Sequence, residues 1–126
     1  MKTQLFFALL FFVSTPFFLS AQSIVGDWLI DSQTADGTPT QDIFSMKADG
    51  TFTVDFGSDG KVDVLGTYTI NGDQITIQDT PKESPCYGKK GIYEFKVEGD
   101  IMTGKMISDE CELRRSNRPM KMTRKQ

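Results

Sequence analysis

Polar and apolar residues alternate along most of the chain beyond residue 23. Thr51-Phe52-Thr53-Val54-Asp55-Phe56 does so strictly, the mark of a strand with one buried and one wet face. Val62, Val64, Gly66, Tyr68 and Ile70 keep the same period, as do Ile75 and Ile77, then Tyr93, Phe95 and Val97. Met102 and Met106 flank Gly104, and Met120 and Met122 close the series. Turn signals separate these runs: Ala48-Asp49-Gly50, Gly57-Ser58-Asp59-Gly60, Asn71-Gly72-Asp73 and Glu98-Gly99-Asp100. Each offers Gly or Asn where a tight hairpin needs positive φ. No window of helical length in this part carries a 3.6-residue apolar stripe.

The pattern predicts eight strands, near 24–31, 42–47, 51–57, 62–70, 74–79, 91–98, 101–108 and 118–124. Short strands in sequence order, joined mostly by tight turns, favour an all-β, eight-stranded antiparallel up-and-down barrel. Closure removes the exposed edges that an open sheet must protect. A sandwich would need long Greek-key crossovers, for which only Asp31–Gln41 and Thr80–Lys90 leave room. Gly66, in the middle of the longest of these strands, is expected at a bend or bulge where the barrel turns a corner.

The first residues follow a different rule. Of ten phenylalanines, six fall at Phe6, Phe7, Phe11, Phe12, Phe17 and Phe18. Lys2 supplies a positive start, Leu5 to Val13 is unbroken apolar sequence, and Ser20-Ala21-Gln22-Ser23 follows. This is the grammar of a secretory signal peptide over 1–21, with the domain at 22–126. Cleavage after Ala21 is preferred to cleavage after Ser23. The apolar stretch is interrupted by Ser14, Thr15 and Pro16 and falls short of the roughly 20 residues a spanning helix needs. A secreted or periplasmic protein with no membrane span is expected.

Composition narrows the chemistry. The chain of 126 residues has 14 Lys and Arg, 17 Asp and Glu, two Cys and no His. Without histidine there is no Ser-His-Asp or Cys-His relay and no imidazole ligand. Two cysteines cannot form a four-thiolate metal site. From Arg114 onward every charged residue is basic, whereas the preceding domain is strongly acidic. That segment lacks interleaved aromatics, so pairing with acidic neighbours is expected rather than nucleic-acid binding.

Gly26-Asp27-Trp28 opens the first strand and Met122-Thr123-Arg124 ends the last. The pairing resembles the lipocalins and the wider calycin group, whose first-strand Trp packs across the barrel floor against an Arg of the final strand. The chain looks closest to the small secreted lipocalin-like domains of Bacteroidetes-type bacteria, in which an aromatic strand such as Gly91-Ile92-Tyr93-Glu94-Phe95 precedes a segment like Asp109-Glu110-Cys111-Glu112-Leu113-Arg114. It is shorter than a typical lipocalin and has no central Thr-Asp-Tyr motif.

Candidate residues follow. Cys86 and Cys111, the only cysteines of an exported chain, are expected to form a structural disulfide. It would close a loop of about 25 residues and contribute roughly 3–4 kcal/mol on the chain-entropy model. Trp28 is read as the floor plug, with Arg124 or Arg114 over its indole. Met46, Met102, Met106, Met120 and Met122 are read as core filler, since they lack the clustering that a Cu(I) site needs. Asp55, Asp59, Asp63, Asp109, Glu110 and Glu112 are read as turn and surface groups, with no calcium loop and no acid–base pair. Phe44, Phe52, Phe56, Tyr68, Tyr93 and Phe95 all point inward in this reading, so the interior is expected to be nearly filled.

The resulting expectation is a non-enzymatic binding protein, with no catalytic residue, metal or cofactor. It would hold a small apolar molecule at the open mouth through Phe52, Val54, Tyr68, Phe95 and Met106. The alternative is an inhibitor of a protease or lysozyme, acting through Gln33–Thr40 or Ser84–Lys90 as an exposed loop, with a protein as partner.

Overall fold

The computed structural model describes residues 24–126; the expected signal peptide and its two candidate cleavage positions lie outside them. Eight strands follow one another: β1 (Gly26–Gln33), β2 (Pro39–Met46), β3 (Thr51–Asp55), β4 (Val64–Asn71), β5 (Gln74–Asp79), β6 (Lys90–Glu98), β7 (Ile101–Asp109) and β8 (Met120–Arg124). Each pairs antiparallel with its chain neighbour, and β8 returns to β1 through Trp28↔Arg124, Leu29↔Thr123 and Ile30↔Met122. The barrel is closed.

The two ends differ. At one end the strands turn in four residues or fewer, through 47–50, 72–73 and 99–100, with Gly50, Gly72 and Gly99 at φ 86, 64 and 60°. At the other end the connections 56–63, 80–89 and 110–119 are long, beside the shorter 34–38. The closed end is plugged by Trp28, fully buried, whose Nε1–H donates to the Ile24 carbonyl at 2.9 Å. Met46, Met102 and Met122 are buried around the core it joins. Burying side chains of this size stabilises by about 2–3 kcal/mol each.

Several sequence expectations are corrected. Phe56 is 54% exposed and Val62 60% exposed, because β3 stops at Asp55 and a 3₁₀ turn (Phe56–Ser58) breaks the alternation. Asp31–Gln41 is not a long connection. β1 and β2 run on to Gln33 and from Pro39, where both faces are polar and periodicity carries no signal; Gln41 Nε2–H donates to Asp31 Oδ1 across the pair at 3.0 Å.

Gly66 sits in regular register between Phe52 and Asp79. A Cβ there would lie 2.3 Å from the Gln78 carbonyl oxygen and 2.5 Å from the Phe52 ring. Close approach therefore explains this glycine, not a bulge. The irregularity lies between β6 and β7, where Ile92 pairs with Ser108 but Tyr93 pairs with Met106. Ile107 is the inserted residue, and it shifts the inward phase of β7 by one.

Candidate functional site: the barrel cavity and its mouth

The barrel encloses a cavity of about 690 Å³, within the range of pockets that hold small molecules. The expectation of a nearly filled interior is thus overturned. The aromatics lie against the walls: Phe44 and Phe52 stack obliquely at 5.6 Å between ring centroids, and Tyr93 and Phe95 at 6.2 Å. Glycines facing two of these rings let them lie back. Gly66 leaves room for Phe52, and a Cβ at Gly104 would lie 2.4 Å from the Phe95 ring. The inner wall combines Ile30, Phe44, Phe52, Phe95, Met120 and Met122, and Phe56, Leu65 and Leu113 form an exposed apolar rim.

Of the five residues expected to contact a ligand, Phe52, Val54 and Phe95 line this cavity. Tyr68 and Met106 do not. Tyr68 lies beside the closed-end turn, where its hydroxyl donates to the Lys47 carbonyl, and burial, then Asp49, pushes that phenol up. Met106 packs half-buried against the core next to the bulge. Trp28 lies below the cavity and does not line it, and the Arg124 guanidinium lies 4.3 Å from its ring centroid.

Arg114 has no part in the Trp28 contact. It lies at the opposite end and forms a buried cluster that sequence reasoning missed. Its Nη1 lies 2.9 Å from Asp79 Oδ1, its Nε 3.0 Å from Asp109 Oδ2, and its Nη2–H donates to the Lys89 carbonyl at 2.7 Å. Asp109 is fully buried at its side chain, contrary to the surface role expected for it. It accepts hydrogen bonds from the Tyr93 hydroxyl and, at 2.8 Å, from the Cys111 N–H. The Ile107 bulge explains the misreading. Strict alternation from Met102 would place Ser108 inside, and the extra residue brings in Asp109 instead. Gly91 opposite makes room, since a Cβ there would lie 2.5 Å from Asp109 Oδ2. A glycine facing an acid near the end of an otherwise apolar strand face was the available signal.

The cluster's protonation follows from its neighbours. Burial pushes the Asp109 carboxyl up, but Arg114, Tyr93 and the Cys111 N–H together hold it below its ordinary value. Burial, reinforced by Asp109, pushes the Tyr93 phenol strongly up. Burial works against the Arg114 cation, yet Asp109 and Asp79 raise its pKa. The result is a locked ion-pair network with a neutral phenol. It clasps the mouth together with the Cys86–Cys111 disulfide, whose Cα atoms lie 5.4 Å apart. Ser84 Oγ–H donates to Asp79 Oδ2 at 2.6 Å, tying the 80–89 connection to the same cluster.

On the other side of the mouth, Asp55, Asp59 and Asp63 bring carboxylate oxygens within 4.8 Å of one another. These oxygens already serve the loop. Asp55 accepts the Asp59 and Gly60 N–H groups at 3.0 Å each, and Asp63 accepts the Phe56 N–H at 2.8 Å.

No helix of the described residues is long and apolar enough to cross a membrane. No curated protein and no solved structure matches the chain. A family model described as a lipocalin-like domain matches residues 24–111, from the start of the described chain through the second cysteine of the clasp. With the closed eight-stranded barrel, floor plug and open cavity already described, the chain belongs to the family of lipocalin-like domains.

Proposed function

We propose that the protein is an exported, non-enzymatic carrier that binds a small apolar molecule inside the barrel. The observation that supports this most directly is the cavity of about 690 Å³, walled by Phe44, Phe52, Val54, Phe95 and Met122 and reached from the long-loop end. Its polar side chains are largely committed to one another or to loop amides, which suits holding a ligand by apolar contact rather than transforming it. The domain is residues 22–126 after removal of 1–21, in a periplasmic or extracellular setting. The disulfide supports that compartment. Titration with the neutral lipophilic dye N-phenyl-1-naphthylamine tests the reading. A saturable one-to-one fluorescence increase is expected, and its absence in the native protein would refute it. Intact mass of the exported protein tests the processing: an N-terminus at Gln22 is expected.

A second reading, inhibition of a protease or lysozyme, draws on one observation. The exposed 84–90 segment is held by the disulfide at Cys86 and by hydrogen bonds from Ser84 to Asp79 and from Arg114 to the Lys89 carbonyl. A loop ordered in advance loses little entropy on docking. Stoichiometric inhibition of an exported hydrolase, abolished by Tyr87→Ala, would establish it; retention of that enzyme's full activity in excess protein would reject it.

A further inference from the structure

We infer that the cavity selects amphiphiles with a cationic head, amines in chemical class, over the corresponding carboxylic acids. The inference rests on the carrier reading above and adds the sign of the ligand's charge.

The charged side chains lining the cavity are Asp42, Asp63, Asp79, Glu83 and Arg114. Arg114 is the only cation of this set, and it is closed to an incoming anion. Its three nitrogens already meet Asp79, Asp109 and the Lys89 carbonyl. A carboxylate ligand would have to displace a buried partner carboxylate, leaving that charge unpaired at a cost of several kcal/mol. Asp79 is likewise committed, to Arg114 and Ser84.

Three carboxylates are left. Asp42 comes from β2, Asp63 from the residue before β4, and Glu83 from the 80–89 connection. Among the described residues, no ion pair joins any of the three to a Lys or Arg. Two are fixed in place: Gly57 N–H donates to Asp42 Oδ1 at 2.8 Å and Phe56 N–H to Asp63 Oδ2 at 2.8 Å. Asp42 is half-buried and Asp63 and Glu83 are exposed, so the lining of the cavity carries a net negative charge over an apolar floor. Low-dielectric walls make such a charge act more strongly than it would on an open surface. An ammonium group gains from it, and a fatty-acid head is repelled. Aliphatic amines, with pKa near that of lysine at about 10.4, are protonated at neutral pH and fit the requirement.

The test uses the purified protein charged with N-phenyl-1-naphthylamine, the dye then being displaced by decylamine, 1-decanol or undecanoate, each below its micellar concentration. The apolar chain is the same in all three and only the head changes. Decylamine is expected to displace the dye at about one tenth or less of the undecanoate concentration, with 1-decanol between. The ratio should shrink at high salt as screening shortens. In the double variant Asp42→Asn, Glu83→Gln the amine-to-acid ratio should fall toward one. Equal displacement by all three, or stronger displacement by undecanoate, overturns the charge selection while leaving the carrier reading intact. Failure of the dye to bind saturably overturns the carrier reading, and this inference with it.

Discussion

The Arg124 guanidinium lies 4.3 Å from the centroid of the Trp28 ring, and the same two residues are paired in the register that closes the barrel. One contact thus joins the first strand to the last. Arg124 also donates from Nη1 to the Val25 carbonyl at 3.2 Å and stands 3.6 Å from Asp100. A cation over a desolvated indole is worth on the order of 1–2 kcal/mol, and the hydrogen bond about 1 more. Arg124→Ala should therefore lower the urea midpoint by an amount equivalent to about 2–3 kcal/mol. Arg124→Lys should recover only part, because an ammonium lacks the planar face. Urea denaturation followed by Trp28 fluorescence measures both.

Removing Arg114 should cost more than removing Arg124. Its loss leaves Asp79 and the fully buried Asp109 without their cation, and breaking a buried pair from one side typically destabilises by about 3–5 kcal/mol. Arg114→Met is expected in that range. The triple variant Asp79→Asn, Asp109→Asn, Arg114→Met should be more stable than Arg114→Met alone, since it removes the stranded charges. Equal stabilities would show that the cluster's charges do not govern the fold.

The same cluster sets two limits on pH. Asp109 is held below its ordinary value in the folded protein, so its contribution is complete above about pH 4, the unfolded value, and is lost as the pH falls through the lowered native value. Asp36, brought to about 2 by Thr34 and then Thr38, adds to the acid limb with the same sign. Tyr93 is pushed up, so its contribution is complete below about pH 10 and is lost as the pH rises beyond it. Urea midpoints across the pH range should fall at both ends. Tyr93→Phe should flatten the alkaline limb relative to the parent.

Much of this architecture was legible from alternation. The eight strands and their order follow from period and turn chemistry, and the disulfide from cysteine count; the floor plug of Trp28, with Arg124 or Arg114, is what the resemblance to lipocalins implies. What escaped was set by contacts that leave no periodic trace. The Ile107 bulge reverses the phase of β7, so Asp109 reads as surface although it is buried. Without that inward turn, Arg114 has no visible partner, and a Trp is the nearest plausible one. The cavity escaped for a related reason. Counting inward aromatics gives side-chain volume but not the space left when Gly66 and Gly104 let Phe52 and Phe95 lie against the wall.

The Cys86–Cys111 bridge spans 25 residues and fastens the 80–89 connection to the segment after β7. Its removal should destabilise by roughly 3–4 kcal/mol. The effect should be local before it is global. In Cys86→Ser, Cys111→Ser, hydrogen exchange is expected to rise first over 80–89, while the β1–β8 seam keeps its protection. Uniform acceleration over the whole barrel would show that the bridge stabilises the fold as a unit rather than the mouth.

Gly66→Ala joins stability to the cavity. The new Cβ would meet the Gln78 carbonyl oxygen at 2.3 Å and two Phe52 ring atoms at 2.5 and 2.7 Å. Backbone cannot yield cheaply, so the strand shifts, or the ring swings off the wall into the space that it borders. Overpacking of this kind costs about 1–3 kcal/mol. Because Phe52 lines the cavity, a displaced ring also takes volume from a ligand. The variant should therefore be less stable and bind N-phenyl-1-naphthylamine more weakly. Gly104→Ala, pressing on Phe95 at 2.4 Å, should behave alike from another part of the wall. Shortening the ring in Gly66→Ala, Phe52→Leu should restore part of both losses. Recovery of stability without recovery of dye binding would place the dye somewhere other than beside Phe52.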